Sequence, residues 1–164
     1  TFLDLIDSYL RTSIIIAVTT IMFAIVLFLS TYRKSKKTNI NEITTRDALI
    51  IGLSQAIALI PGTSRSGITI SAGLFLGLDN KTASKFSFLM AVPTIGAIAL
   101  YQLFSTDVNY LIDYFDINIL GLIISFIIAY GTINFFIKFI NRIGFLPFII
   151  YRIILGIALF SMIL

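Results

Sequence analysis

The sequence has no cysteine, no histidine and no tryptophan among its 164 residues. Without cysteine or histidine the chain can form no disulfide, no thiolate nucleophile, no Cys/His zinc site and no Ser-His-Asp triad of its own. Glu42 is the single glutamate. Any acid-base chemistry carried by these residues therefore depends on carboxylates, hydroxyl groups or water.

Charged residues are also scarce, at 12% of the chain, whereas hydrophobic residues make up 58%. Soluble domains typically have about 25% charged and roughly 45–50% apolar residues. The mean hydropathy is +1.01. We therefore predict an all-α integral membrane protein whose surroundings are the bilayer. Nucleic acid is not expected as a partner, because the basic residues form short clusters beside apolar segments.

Four segments are long and apolar enough to cross a hydrocarbon core, which needs about 20 residues of helix. They are residues 12–31, 82–104, 117–137 and 145–164. The positive-inside rule places the basic turns in the cytoplasm and the acidic segment 105–116 outside. The basic cluster after the first segment is interpreted as a topology anchor, with lipid-headgroup recognition as the alternative. Arg152 lies inside the last segment, so it is expected to reach the membrane surface or to find an internal partner.

Residues 47–78 contain two apolar segments that are each too short to cross. A helix capped near Thr44 and starting near Asp47 can extend only to about Ile60, because Pro61 and Gly62 follow. We predict a re-entrant helical hairpin over about 47–78, with a single bent, membrane-crossing helix as the alternative. The small-residue pairs Gly73/Gly77 and Gly52/Ala56 predict close packing of its helices.

The loop of this hairpin, PGTSRSGIT at residues 61–69, carries a fixed positive charge and three hydroxyl side chains between helix-breaking glycines. The planar guanidinium of Arg65 suits bidentate contact with phosphate or carboxylate. Successive N–H groups before a helix starting near Ile68 can form an anion-binding nest, with Thr69 in the first turn. The loop predicts an oxyanion site for a phosphorylated lipid. The alternative is a structural turn whose arginine forms an ion pair or reaches the headgroups.

Several segments resemble the second signature region of the undecaprenyl-diphosphate phosphatase family, the bacitracin-resistance type. These segments are residues 52–55, 61–69, 73, 76–78, 81–83 and 86–89. Tyr151-Arg152 followed by Leu155-Gly156 is similar to the last helix of that family. The resemblance implies a bacterial plasma-membrane phosphatase that removes the terminal phosphate of undecaprenyl diphosphate and so regenerates the lipid carrier for peptidoglycan precursors. It also implies an inverted-repeat fold with two facing re-entrant hairpins, of which this chain would be half.

The resemblance implies catalytic roles for Arg65, Ser64 and Thr69. It implies that the substrate is bound by Gly62, Thr63, Ser66, Gly67 and Gln55. The ligand would be a polyprenyl diphosphate and the cofactor a divalent cation, Mg²⁺ or Ca²⁺. The glutamates and the histidine that the family uses to hold the metal and to move protons have no counterpart here, so no metal ligand is expected in this chain.

Residues 1–164 are therefore expected to be a single transmembrane domain from the C-terminal part of a longer protein, without turnover of its own. Two alternatives to this enzyme remain open, a polyprenyl-lipid transporter or flippase and an inactive truncated homologue. Re-entrant hairpins in inverted repeats are a device of transporters as well. A homodimer is an open alternative to a monomer.

Overall fold

The computed structural model describes residues 12–106 and 114–162, and every regular element there is helical. The six α-helices are α1 Ser13–Thr31, α2 Thr45–Ser54, α3 Arg65–Phe75, α4 Asn80–Ser105, α5 Phe115–Ile143 and α6 Leu146–Ser161. Two 3-10 helices, Ile40–Glu42 and Gln55–Leu59, lie before and after α2. The prediction of an all-α membrane protein is confirmed at this level.

Three of these helices, α1, α4 and α5, are long and apolar enough to cross a membrane by length and composition. The fourth predicted span corresponds to α6, which has 16 residues and is thus only about 24 Å long. The predicted count of four spans is not confirmed in the described part of the chain. The predicted acidic segment 105–116 includes Asp107 and Asp113, which lie outside the described residues, as does the N-terminal segment 1–11.

The predicted hairpin corresponds to α2, a 3-10 turn, a loop and α3. The start of α2 is stabilised as expected, because the Thr44 hydroxyl accepts the Asp47 N–H at 3.2 Å and the Asp47 carboxylate accepts the Thr44 N–H at 2.9 Å. The α-helical part ends at Ser54, earlier than the predicted Ile60, and tightens into Gln55–Leu59. With 10 and 11 residues, α2 and α3 are each about 15 Å long and too short to cross alone. How deep they enter a bilayer stays a prediction.

The core of the described residues lies around α3, which packs against α1, α2 and α4. Its buried apolar members are Leu27, Ile51, Ile70, Leu74, Leu78, Ala83, Ile140, Phe145 and Ile149. Helix α1 packs in turn against α6, where Gly156 allows a close approach. A Cβ at Gly156 would lie 3.2 Å from the Ala17 carbonyl oxygen and would collide with Ile21.

The predicted small-residue pairs have different roles from one another. Gly73 packs closely on α4, since a Cβ there would lie 3.3 Å from the Ala83 Cβ. Gly77 instead ends α3, with φ +86° and the Leu78 N–H bonded to the Gly73 carbonyl at 3.0 Å, the hydrogen bond of a Schellman cap. Gly52 has open space around it in the described structure. The prediction of tight packing is confirmed for Gly73, whereas no described residue packs closely on Gly52.

Candidate functional site

The loop between the two short helices has an unusual backbone. Gly62 has φ +87°, and Ser64 has φ +69°, the only positive value at a non-glycine residue in the described ranges. Such a conformation costs a side-chain-bearing residue free energy and persists only where its surroundings require it. The Ser64 hydroxyl caps α3 by accepting the Gly67 N–H at 3.2 Å. Helix α3 therefore begins at Arg65, three residues before the predicted start near Ile68.

The loop is pressed against α1. A Cβ at Gly62 would lie 2.7 Å from the Ile16 carbonyl oxygen and would overlap the Thr19 hydroxyl, so only glycine fits there. The Thr19 hydroxyl donates to the Pro61 carbonyl at 2.6 Å, and Thr20 approaches the Gly62 carbonyl at 3.4 Å. Because these contacts join residues 42 positions apart, the loop position is set by tertiary structure and not by local sequence.

Arg152 of α6 also holds this loop. Its Nη2 donates to the Gly62 carbonyl at 2.7 Å and to the Thr20 carbonyl at 3.3 Å. Its Nε is buried and has no partner in the described part of the chain. Of the two alternatives expected for Arg152, the membrane surface or an internal partner, the structure shows the internal partner. Its place at the loop was not predicted, and the available signal was a lone arginine in an apolar helix.

A cavity of about 390 Å³ opens between the loop, α1, α5 and α6. One end is polar and is formed by Thr20, Gly62, Ser64, Ser66, Gly67 and Arg152. The rest of the lining is aliphatic and aromatic, with Leu27, Ile70, Phe136, Phe145, Phe148, Tyr151 and Leu155. A cavity with a small polar end and a long apolar wall suits an amphipathic ligand such as a lipid.

A second cavity of about 370 Å³ lies on the other side of the start of α3. It is lined by Arg65 and Ser66 and by Ser87, Phe88, Ala91 and Ile95 of α4. Arg65 is exposed, and within 12–106 and 114–162 its side chain has no hydrogen-bond or ion-pair partner. Ser66 lines both cavities, so the first turn of α3 is the element that they share.

The structure brings together part of the predicted site. Gly62, Ser64, Ser66 and Gly67 line the first cavity, and Arg65 lies beside Ser66 at the second. Thr63 is fully buried, and its hydroxyl has no partner among the described residues.

Two predicted site residues face elsewhere. The Thr69 and Ser87 hydroxyls are 2.7 Å apart, and Thr69 is almost fully buried between α3 and α4. The Gln55 amide donates to the Thr94 hydroxyl of α4 at 3.1 Å. Both side chains connect the hairpin to α4, and neither lines the two cavities described above.

The start of α3 has the features of an anion site. The first hydrogen bond along the helix backbone runs from the Ile68 N–H to the Ser64 carbonyl at 3.1 Å, so the N–H groups of Arg65 and Ser66 come before it and have no partner within the helix. Free N–H groups and the positive end of the helix dipole attract phosphate and carboxylate groups. The Arg65 guanidinium adds a full charge beside them.

Three carboxylates of the described residues have their hydrogen-bond partners outside the loop. Asp47 pairs with Lys37, Asp79 caps α4 by accepting the Thr82 N–H at 2.7 Å, and Glu42 accepts the Thr38 N–H at 2.7 Å. No group of three metal-ligating side chains occurs in the described residues. The residues described here therefore do not fit a divalent cation, although they fit an anion.

Asp47 is nearly buried and accepts a hydrogen bond from the Lys37 ammonium at 2.5 Å. That hydrogen bond, together with the Thr44 N–H, lowers the pKa of Asp47 from 3.8 to about 2. The ion pair joins the end of the first basic cluster to the start of α2. It is a structural connection, remote from the loop at Pro61–Thr69.

Comparison with known proteins decides the family. The model of the family described as bacitracin resistance protein BacA matches residues 1–158. The chain belongs to this family. The resemblance found in the sequence is thereby confirmed at the level of the family.

Relatives in this family carry names that state an activity. Undecaprenyl-diphosphatase 1 of Pseudoalteromonas translucida is 45% identical over 157 residues, which cover 95% of this chain and 59% of that protein. The undecaprenyl-diphosphatase of Teredinibacter turnerae is 46% identical over 162 residues, covering 97% of this chain and 60% of that protein. That of Hahella chejuensis is 47% identical over 155 residues, covering 94% and 58%. The chain thus spans about three fifths of the length of these relatives.

Proposed function

We propose that this chain is part of a membrane phosphatase that hydrolyses undecaprenyl diphosphate to undecaprenyl phosphate in the bacterial plasma membrane. The names of the BacA-family relatives support this reaction and substrate. The product would be the lipid carrier used in cell-wall synthesis. Within that enzyme, this chain would supply the diphosphate-binding loop.

The observation that carries the proposal is the cavity under the loop. Its polar end, at Ser64, Ser66 and Arg152, adjoins an apolar wall that includes Phe136 and Phe148. Those two rings lie 5.0 Å apart between centroids, on α5 and α6. A polyprenyl diphosphate has the same division, with a strongly anionic head and a long hydrocarbon tail, so one ligand would use both ends of the cavity.

Arg65 is proposed to bind the diphosphate from the adjoining cavity, which shares Ser66 with the cavity under the loop. Its side chain is exposed at the amino end of α3 and has no partner among the described residues. A guanidinium can donate hydrogen bonds to two phosphate oxygens at once, and the adjoining backbone N–H groups can donate to a third. Ser64 and Ser66 are proposed to add hydroxyl contacts. In this arrangement the charge that develops on the phosphate during hydrolysis would be stabilised by groups already in position.

Thr69 and Gln55 are proposed to act through position and not through contact with the substrate. Thr69 connects α3 to Ser87, and Gln55 connects the end of α2 to Thr94. Both bonds fix the hairpin against α4, and α4 forms one side of the Arg65 cavity. Thr63 is proposed to support the loop from beneath, because it is fully buried.

A divalent cation, Mg²⁺ or Ca²⁺, would offset phosphate charge and activate water in such a hydrolysis. Because the described residues hold no suitable ligand group, we assign no step through a metal to this chain. We keep the prediction that the 164 residues alone have no turnover. The relatives align with nearly all of this chain, and this alignment does not support that prediction. Phosphate release by the isolated chain would contradict it.

The proposal is tested by phosphate release from a polyprenyl diphosphate in detergent with Mg²⁺ or Ca²⁺. The protein assayed would carry this chain together with the remaining length found in its relatives. Arg65→Ala is expected to lower turnover by about a hundredfold or more, as when one stabilising donor is removed from other enzymes. Arg46→Ala, which removes an exposed arginine of α2, is the matched control and is expected to change turnover by less than about twofold.

Equal activity of the wild-type protein and Arg65→Ala would remove Arg65 from the mechanism. Movement of the lipid between leaflets without phosphate release would favour the transporter. Neither movement nor release in the wild type would favour an inactive homologue. We further propose that α2 and α3 enter the membrane as a re-entrant hairpin, because each is too short to cross it.

A further inference from the structure

A further cavity, different from the two at the loop, lies at the end of α1. We call it the basic cleft. It measures about 380 Å³ and is lined by the cationic side chains of Arg33, Lys34 and Lys36 and by the aromatic rings of Tyr32 and Phe75. It shares no lining residue with the cavity under the loop. Its function is therefore a separate question from that of the loop.

The backbone that carries these cations is fixed. The N–H groups of Lys36 and Lys37 both donate to the Gly77 carbonyl, at 2.8 and 3.0 Å. The Lys37 carbonyl in turn accepts the Asp79 N–H at 3.0 Å. The Thr82 hydroxyl donates to the Thr38 carbonyl at 2.9 Å. The segment after α1 is thus bound to the turn between α3 and α4, which fixes the backbone beside the cleft.

Of the four cations in residues 33–37, one is neutralised by a carboxylate in the described structure. Lys37 pairs with Asp47 at 2.5 Å. Arg33, Lys34 and Lys36 are exposed, and across residues 12–106 and 114–162 they have no hydrogen-bond or ion-pair partner for their side chains. Three like charges around one cleft raise the local positive potential, which an anion would relieve.

The position of the cleft indicates what kind of anion. It lies directly after α1, a helix of 19 residues that is apolar enough to qualify as a membrane span. Tyr32 packs edge-on against Phe28 of that helix, with ring centroids 5.0 Å apart, and Tyr is typical of the membrane interface. Phe75 is 43% exposed and offers an apolar surface beside the cations. A lipid presents a phosphate and an acyl chain to such a surface at the same time.

We propose that the basic cleft binds the headgroup phosphate of an anionic phospholipid, with Phe75 contacting its acyl region. A zwitterionic lipid fits less well, because none of the described residues that line the cleft is acidic and so none can pair with its cationic headgroup. The bound lipid would link the end of α1 to the end of α3. This inference does not depend on the hydrolase activity proposed above.

The test is native mass spectrometry of the purified chain in detergent, with phosphatidylglycerol and phosphatidylcholine offered at equal concentration. The wild type is expected to retain phosphatidylglycerol preferentially. Arg33→Gln/Lys34→Gln/Lys36→Gln is expected to lower that retention about tenfold or more. The control Lys81→Gln/Lys138→Gln/Arg142→Gln removes the same charge at exposed positions away from the cleft and is expected to lower it less than about twofold.

A loss of retention that is equal in the two triple variants, or a wild type without preference for phosphatidylglycerol, would overturn the proposal. Inorganic phosphate separates a lipid site from a simple phosphate site. If phosphate displaces the lipid and Phe75→Ala has no effect on retention, the lipid assignment is wrong, whereas a roughly threefold or larger loss with Phe75→Ala supports it. Circular dichroism checks folding. Should the cleft triple variant unfold, the three single variants replace it, and each is expected to lower retention.

Discussion

Arg65 belongs to the loop at residues 61–69 and Arg152 lies beside it, but the two side chains differ in what they contact. Arg152 extends from an apolar helix and donates to the Gly62 and Thr20 carbonyls. Arg65 is the first residue of α3. Its side chain is exposed and has no partner in the described ranges. The guanidinium that binds backbone carbonyls stabilises the loop, whereas the unpaired one is available to a ligand. Two arginines near one site therefore need not share one role.

The difference in role follows from the groups that each arginine contacts. Buried carbonyl groups without a donor cost about 1–3 kcal/mol each, and Arg152 removes that cost at the tightest point of the loop. Arg65 contacts no such group. Substitutions around Arg152 should therefore act on stability, and substitution of Arg65 should act on ligand binding. The variants below test this division in order of their expected effect on stability.

Gly62→Ala is expected to have the largest effect. The new Cβ would meet the Thr19 hydroxyl and the Ile16 carbonyl oxygen, and φ +87° would be strained. We expect a loss of about 3 kcal/mol or more in the free energy of unfolding, measured by thermal unfolding in detergent. The control Gly52→Ala, at a helical glycine with open space around it, is expected to be neutral or slightly stabilising. Equal stability of the two variants would contradict the described packing of the loop.

Arg152→Met comes next, because it keeps most of the side-chain volume and removes the donors. The Gly62 carbonyl loses its 2.7 Å hydrogen bond. We expect the free energy of unfolding to fall by about 1–3 kcal/mol, and the loop to become more accessible to amide hydrogen exchange. A variant as stable and as protected as the wild type would mean that Arg152 does not hold the loop.

Asp47→Asn is expected to have a smaller effect that depends on pH. Since the pKa of Asp47 is lowered to about 2 in the fold against 3.8 otherwise, the carboxylate stabilises the folded chain above about pH 4 and loses this effect as the pH falls toward 2. Asp47→Asn should therefore be less stable than the wild type near neutral pH, with the difference shrinking below about pH 4. A difference independent of pH would show that the charge contributes nothing.

Much of the fold was predictable from residue patterns. Long apolar segments predicted the helices α1, α4 and α5, and Thr44 with Asp47 predicted the start of α2. The start of α3 was missed because it depends on Ser64 adopting φ +69°, which no local preference of serine favours. Long-range contacts with α1 and α6 fix that loop, and a single sequence does not reveal them.

The candidate site shows the same limit. A polar loop in an apolar chain predicted an anion site at Ser64, Arg65 and Ser66, which stays a prediction. The side-chain direction of Thr69 was not predictable, because it depends on Ser87, 18 residues further along a separate helix. The position of Arg152 at the loop depends on the packing of α6 against α1. The sequence shows one arginine in an apolar helix, and this does not predict which groups the arginine contacts.

Arg65→Gln is expected to leave stability unchanged, because the side chain has no partner among residues 12–106 and 114–162. It is therefore the most direct test. The measurement is the equilibrium affinity of the detergent-solubilised chain for a polyprenyl diphosphate, compared with Arg46→Gln as the control and with unfolding followed in parallel. We expect Arg65→Gln to weaken binding by roughly tenfold or more and to unfold at the same temperature as the wild type. Equal affinity of the two variants, or a loss of affinity that comes only with a loss of stability, would contradict it.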